Sequence, residues 1–218
     1  MGERSKTIGE IGENIAGNFC DLVGWSNPQL GVSIDCIYKQ KHALDSSKKG
    51  EKSTHGIDIL HSYQSSLEEG TANTLLISVK HIKETKYPES VTVKVKGYFK
   101  DLLDTVDCYK KSKLKKSFIA KHIGCKTLNE IPVLFYISSH KDDSEHSNYI
   151  EKIKSTSFLS DHDVRELYVI DNNKLTFILN SLDYIKNKKS DYEWFFYSPY
   201  TGMNIAESAK KILKSITS

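Results

Sequence analysis

The feature that most limits the fold is the run IPVLFYIS at residues 131–138, which is apolar at almost every position. A strand with one face in water alternates polar and apolar side chains, whereas a strand covered on both faces is apolar throughout. The run therefore predicts a central strand of a sheet that is covered by helices. It follows a helical pattern over residues 91–121, broken near Ser112, and a helix before a strand suits a parallel crossover.

Three further strands are predicted upstream of that helix, at residues 31–38, 55–64 and 74–82. The segments between them contain no helical pattern, and residues 39–54 are polar, so the three strands suit an antiparallel meander. An amphipathic helix over residues 6–23 precedes them. The order of elements predicts an α/β fold with a mixed central sheet flanked by helices.

The rest of the chain continues the alternation of helix and strand. We assign residues 1–140 to a core and residues 141–218 to a C-terminal α/β extension that either extends the sheet or presents an interface. The predicted elements of the extension are a helix at 145–154, a strand at 167–171, a helix at 173–187, a strand at 194–198 and a helix at 204–216.

Composition excludes several classes of protein. The chain is 38% hydrophobic and 27% charged, as in ordinary soluble proteins. No apolar run approaches the roughly 20 residues of a membrane span, and no signal-peptide pattern follows the N-terminus, so we expect a cytoplasmic protein without membrane contact. The four cysteines show no CxxC spacing, which predicts reduced thiols and argues against structural zinc.

Basic charge is concentrated in one segment. Residues 93–126 hold ten lysines against three aspartates, a net +7, which leaves −4 for the rest of a chain whose total is +3. Such a segment can bind phosphates by releasing counterions. A solvated, lysine-rich helix face has the same composition, so both interpretations stay open at this stage.

Two charged residues interrupt apolar strands. Asp58 stands between Ile57 and Ile59, and Lys80 ends the run LLISVK on the next predicted strand. Charged groups rarely occupy strand interiors unless they are paired or functional. A carboxylate there can hold a hard divalent cation through oxygen, and a nearby lysine can stabilise charge that develops on a phosphate. A structural Asp–Lys pair is the alternative.

These residues and their order resemble the PD-(D/E)xK nucleases of the restriction-endonuclease-like fold. The resemblance covers about residues 1–140 and is carried by GID at 56–58, by SVK at 78–80 and by the helix segment GENIA at 12–16. It implies a metal-dependent nuclease that hydrolyses phosphodiester bonds, with DNA as the expected substrate. Small chains of this kind often occur in bacterial restriction or antiphage defence systems.

The resemblance also implies roles for individual residues. Asp58 and Glu13 would hold one or two Mg²⁺ or Mn²⁺ ions, the Val79 carbonyl would be a further ligand, and Lys80 would position water or stabilise charge. Helical geometry favours Glu13 over Glu10, because Glu10 points nearly opposite the apolar face of the helix. The lysines expected to follow the nucleic-acid backbone without reading its sequence are Lys94, Lys96, Lys100, Lys110 and Lys113.

One departure from the family pattern concerns Ser78, which stands where the motif usually has an acid. The site could bind metal without that acid, or another acid such as Asp35 could replace it. It could also be inactive, which would leave a nuclease-like subunit that binds nucleic acid or a protein partner. His55 and His81 flank the motif strands and could contact a phosphate or a water, or could be ordinary strand histidines.

Other patterns carry less information. No GxSxG, GxxxxGK[ST] or HExxH motif occurs, so triphosphate, serine and zinc hydrolysis have no support. The acidic residues at 142–146 are typical of a solvated loop, and the aromatic run at 192–197 is typical of a buried strand or an interface. Cutting of both DNA strands by this fold often uses a dimer, so a homodimer or a partner subunit is a further expectation.

Overall fold

The structure is a computed structural model that describes residues 2–25, 27–43, 50–65, 68–90, 92–153 and 166–188. The predicted strand at 194–198, the predicted helix at 204–216 and the aromatic run at 192–197 lie outside the described residues.

A five-stranded mixed sheet forms the centre of the protein, with its strands in chain order. The first three strands pair antiparallel, and the fourth and fifth add in parallel, as the element order predicted. The strands are β1 (Gln29–Asp35), β2 (Thr54–Gln64), β3 (Thr71–Ile82), β4 (Thr127–Ser138) and β5 (Tyr168–Ile170). The predicted central strand is β4, and β5 pairs with it, so the segment after residue 140 extends the sheet.

Helices cover both faces of this sheet. On one face, α1 (Gly2–Leu22) and α5 (Asn172–Lys188) pack on a cluster that includes Phe19 and Phe135, whose rings meet edge to face at 5.3 Å. On the other face, α2 (Val93–Lys110) and α3 (Lys113–Lys121) pack on a second cluster. Apolar burial on both faces explains why β4 has no alternating pattern.

The helix break expected near Ser112 is confirmed. The Ser112 hydroxyl accepts a hydrogen bond from the backbone N–H of Lys115 at 3.1 Å and caps α3. Serine is a favoured residue at this position because its oxygen satisfies an N–H that the helix leaves unpaired. None of the helices in the described part of the chain is both long and apolar enough to cross a membrane.

The helix predicted over residues 145–154 is wrong in extent, because among the described residues 145–153 only α4 (Ile150–Ile153) is helical. Asp171, from the start of the following helix, accepts hydrogen bonds from the backbone N–H groups of Tyr149 and Ile150 at 2.6 and 2.9 Å. These bonds satisfy the first N–H groups from outside, so the helix begins at Ile150. A residue more than twenty positions away sets that boundary.

Candidate active site

The site is built where β2 and β3 separate. The last regular pair at this end joins Ile59 to Ile77, and Asp58 is the next residue of β2 beyond it. Beyond this point the backbone N–H of Val79 donates to the Asp58 carboxylate at 2.6 Å. The Asp58 side chain therefore accepts the hydrogen bond that the Val79 N–H would have donated to the β2 backbone in a continued strand ladder.

The hydrogen bonds of Asp58 orient its carboxylate. The Ser78 hydroxyl donates to Asp58 Oδ2 at 3.3 Å, and the Val79 N–H binds the same oxygen. Within the described residues no hydrogen bond to Asp58 Oδ1 is found, so this oxygen can serve as a ligand. In a strand, the N–H and C=O of one residue point to the same neighbour, so the Val79 carbonyl is directed towards the same gap.

Helix α1 brings Glu13 to this gap through a close approach at Gly12. A Cβ atom added at Gly12 would lie 2.6 Å from the Cβ of His81 and 3.3 Å from Cγ1 of Val79. Only a residue without a side chain fits against β3 at this distance. Gly12 is buried, and Glu13, the next residue, is exposed.

Neighbouring charged groups shift the pKa of Glu13. Burial raises the pKa of Glu13, the negative charges of Asp58 and Glu10 raise it further, and the positive charge of Lys80 lowers it. A carboxyl with a raised pKa beside a second carboxylate indicates that negative charge accumulates here. Glu13 is thus within electrostatic reach of both Asp58 and Lys80.

Lys80 is held by an aromatic residue that the sequence reasoning missed. The ammonium nitrogen of Lys80 lies 5.7 Å from the centre of the Tyr98 ring on α2, within the range of a cation–π contact. Ser78 and Lys80 lie on the same face of β3, since side chains alternate along a strand. The only sequence signal for Tyr98 was its place in the basic helix.

Asp35 does not replace the missing acid. Asp35 pairs with Thr54 across β1 and β2, four residues along the strand from Asp58, which corresponds to about 13 Å. This distance is too long for two ligands of one ion. The acids close to the gap are therefore Asp58 and Glu13, with Ser78 as a neutral neighbour.

The two histidines that flank the motif strands have other partners. His81 donates from Nδ1 to the carbonyl of Ile8 at 2.8 Å and accepts at Nε2 from the Ser139 hydroxyl at 2.9 Å, so it ties α1 to the sheet. His55 is 1% exposed and packs beneath α2, where Thr105 contacts its ring at 3.1 Å. Neither histidine faces the Asp58 gap.

The predicted nucleic-acid lysines are spread along α2 and α3. Lys94 is exposed and lies one turn before Tyr98 on the same helix face, and Tyr98 is the residue that contacts Lys80. Lys100 contacts the Asp104 carboxylate at 2.5 Å. Lys110 lies twelve residues beyond Tyr98, or about 18 Å along the helix. The remaining two of the five, Lys96 and Lys113, are exposed.

The donor set fits a hard divalent cation. Asp58, Glu13 and the Val79 carbonyl offer oxygen atoms, which Mg²⁺ and Mn²⁺ prefer over nitrogen and sulfur. Burial and the negative charge of Asp58 both raise the pKa of Glu13, and a cation between the two carboxylates would offset their repulsion.

Comparison with known proteins identifies a family for most of the chain. The family model described as GAPS4 protein PD-(D/E)XK nuclease domain matches residues 1–174. No curated protein and no solved structure matches the chain. The matched segment contains all five strands, the site on β2 and β3, and the helix that carries Glu13. The chain therefore belongs to the GAPS4 family of PD-(D/E)XK nuclease domains.

Proposed function

We propose that this nuclease domain hydrolyses phosphodiester bonds of DNA with Mg²⁺ or Mn²⁺, in the service of restriction or antiphage defence. The observation that carries the proposal is the Asp58 carboxylate, which the Val79 N–H and the Ser78 hydroxyl orient at the point where β2 and β3 separate. Glu13 is within electrostatic reach of both Asp58 and Lys80.

Each residue has a distinct part in this proposal. Asp58 and Glu13, with the Val79 carbonyl, would hold the cation. A divalent cation held there supplies Lewis acidity toward a phosphoryl oxygen and makes a bound water more acidic. The Lys80 ammonium would position the attacking water or stabilise the negative charge that grows on the phosphate, and the Tyr98 ring keeps that ammonium in place. Ser78 would orient Asp58 without adding charge.

A second candidate function follows from Ser78. With a hydroxyl in place of an acid, the site has two carboxylates rather than three. Fewer charged ligands give a lower metal affinity. The alternative is a catalytically inactive subunit, alone or as a homodimer, that binds nucleic acid or a protein partner. Both candidates allow DNA binding, and only the first predicts cleavage.

The test of the proposed activity compares wild type with Lys80→Ala. We expect wild type to cut supercoiled plasmid or single-stranded DNA with Mg²⁺ or Mn²⁺, and Lys80→Ala to cut about 10²–10³-fold more slowly, as when a charge-stabilising group is removed. Gel analysis of nicked and linear products measures the rates. Lys83→Ala, which removes an exposed lysine just after β3, is the matched control and should retain activity. A folded wild type that leaves DNA and RNA intact would contradict the nuclease assignment.

Lys94 provides a separate test of the DNA path. Because Lys94 shares a helix face with Tyr98, Lys94→Ala is expected to weaken DNA binding and to reduce the slope of log affinity against log salt by about one. Fluorescence anisotropy at several salt concentrations measures both. Lys113→Ala removes an equally exposed lysine from α3 and should have a smaller effect on a short duplex. Equal losses from the two variants would argue for non-specific attraction to the whole basic segment.

A further inference from the structure

Two cysteines and two histidines meet in the interior, away from the Asp58 gap. Cys36 and His42 lie between β1 and β2, His55 is on β2, and Cys108 is in the last turn of α2. All four residues are at most 2% exposed. One ligand atom from each lies within 4.8 Å of the others, although the residues are separated by up to 72 positions in sequence.

Four of the six distances between these atoms are close to those of a tetrahedral metal site. The two sulfur atoms are 3.9 Å apart. Each sulfur lies 3.5 Å from His42 Nδ1, and His42 Nδ1 lies 3.3 Å from His55 Nε2. A tetrahedron with ordinary Zn–S and Zn–N bond lengths gives edges of about 3.8 Å for S···S, 3.6 Å for S···N and 3.3 Å for N···N.

The groups behind the two histidines favour lone pairs on the ring nitrogens that face each other. The Thr105 hydroxyl donates to the carbonyl of Asp101 at 2.7 Å, so it can only accept from His55 Nδ1–H, and His55 Nε2 then carries no proton. His42 Nε2 lies 3.4 Å from the Asp104 carboxylate, without forming a well-aligned hydrogen bond. That carboxylate favours a proton on Nε2 and an open Nδ1. Two unprotonated nitrogens at 3.3 Å repel unless a cation lies between them.

The surroundings supply the other features of a metal centre. A carboxylate or hydroxyl behind each ligating imidazole fixes its tautomer and orientation, and Asp104 and Thr105 hold these positions behind His42 and His55.

We propose that Cys36, His42, His55 and Cys108 form a structural Zn²⁺ site. On binding, the two thiols lose their protons to solvent, and two thiolates balance the dipositive ion, so the buried unit is neutral. Four protein ligands leave no position open for water, which is typical of structural rather than catalytic zinc. The ion would tie the connection between β1 and β2, which carries His42, to the end of α2.

This proposal is independent of the nuclease activity, and it replaces the expectation drawn from cysteine spacing. A Cys36–Cys108 disulfide is the competing arrangement, but the sulfurs are 3.9 Å apart rather than about 2.05 Å. Both cysteines are free thiols in the structure.

The test begins with metal analysis of the full chain, purified under reducing conditions without a polyhistidine tag. We expect about one Zn²⁺ per chain by mass spectrometry of metals. An organomercurial that titrates the thiols should release the ion to a chromophoric chelator. Protein grown with Co²⁺ should show the visible absorption of tetrahedral cobalt together with thiolate charge-transfer bands. Asp58→Asn should keep its zinc, which separates this site from the Mg²⁺ site.

Variants complete the test. Cys108→Ser should lose the zinc, whereas Cys20→Ser, which alters an equally buried cysteine in the other core cluster, should retain it. If Cys108→Ser does not fold, the Co²⁺ spectrum of the wild type decides. Protein with less than about a tenth of an equivalent of zinc and no tetrahedral Co²⁺ bands would overturn the proposal. A Cys36–Cys108 disulfide in the native protein would overturn it as well.

Discussion

Replacing Asp58 with asparagine is expected to lower DNA cleavage by about 10³-fold or more, with little change in stability. Metal-assisted stabilisation of a phosphoryl transition state contributes several kcal/mol, and each 1.36 kcal/mol corresponds to a factor of ten. The asparagine amide oxygen can still accept the bonds that now come from Val79 and Ser78, so the strands should keep their positions. Plasmid cleavage and thermal unfolding of the same samples measure the two effects.

Glu10→Gln is the matched control for Asp58→Asn. It removes a carboxylate from the same neighbourhood, since Glu10 also raises the pKa of Glu13, but from the side of α1 that points away from the apolar face. Activity should survive this change. In Asp58→Asn the pKa of Glu13 should fall towards its ordinary value, because a negative neighbour has gone, and carboxyl titration by NMR would show it. Equal loss in both variants would mean that general charge, not the Asp58 position, supports cleavage.

Asp58→Asn also separates the two candidate functions. If wild type and Asp58→Asn bind DNA equally and neither cuts it, the inactive-subunit alternative is favoured and Ser78 is the reason. If wild type cuts and Asp58→Asn only binds, the two carboxylates suffice for metal binding without the usual third acid. Binding and cleavage therefore need to be measured on the same DNA.

The fold and the gap around Asp58 were largely predictable because their signals are local. Alternation, apolar runs and element order predict all five strands of the sheet, and they place Asp58 and Lys80 on neighbouring strands. The prediction of a helix at 145–154 failed because its signal is not local. The start of the observed helix is set by Asp171, which lies more than twenty residues away. Propensity within a window does not contain that information.

The proposed zinc ligands are even harder to predict from local sequence. Spacing rules for zinc recognise pairs of ligands on one short turn, whereas Cys36, His55 and Cys108 lie on or beside three different elements. Only the folded sheet, with α2 packed across β1 and β2, brings them together. His55 was considered because it flanks a motif strand, but its partners are determined by packing that a single sequence does not reveal.

Gly12→Ala is expected to destabilise the protein by about 1–3 kcal/mol, the usual cost of overpacking a filled contact. In a helix interior the same change normally stabilises by about 0.5–1 kcal/mol, so the sign itself is informative. The new methyl group would lie 2.6 Å from the Cβ of His81. This atom is fixed to the backbone of β3, so α1 must move away. Glu13 would move with it, and cleavage should fall along with stability.

Gly17→Ala, on the same helix, is expected to stabilise the protein rather than destabilise it. Nothing lies within 4 Å of a Cβ added at Gly17, so this variant should gain about 0.5–1 kcal/mol and keep full activity. Urea unfolding gives both free energies, and cleavage rates measured well below the unfolding transition separate displacement of Glu13 from simple loss of folded protein. If Gly12→Ala is as stable as Gly17→Ala, α1 does not touch β3 at this point. Glu13 would then have no fixed position beside Asp58, and the two-carboxylate metal site would have to be abandoned.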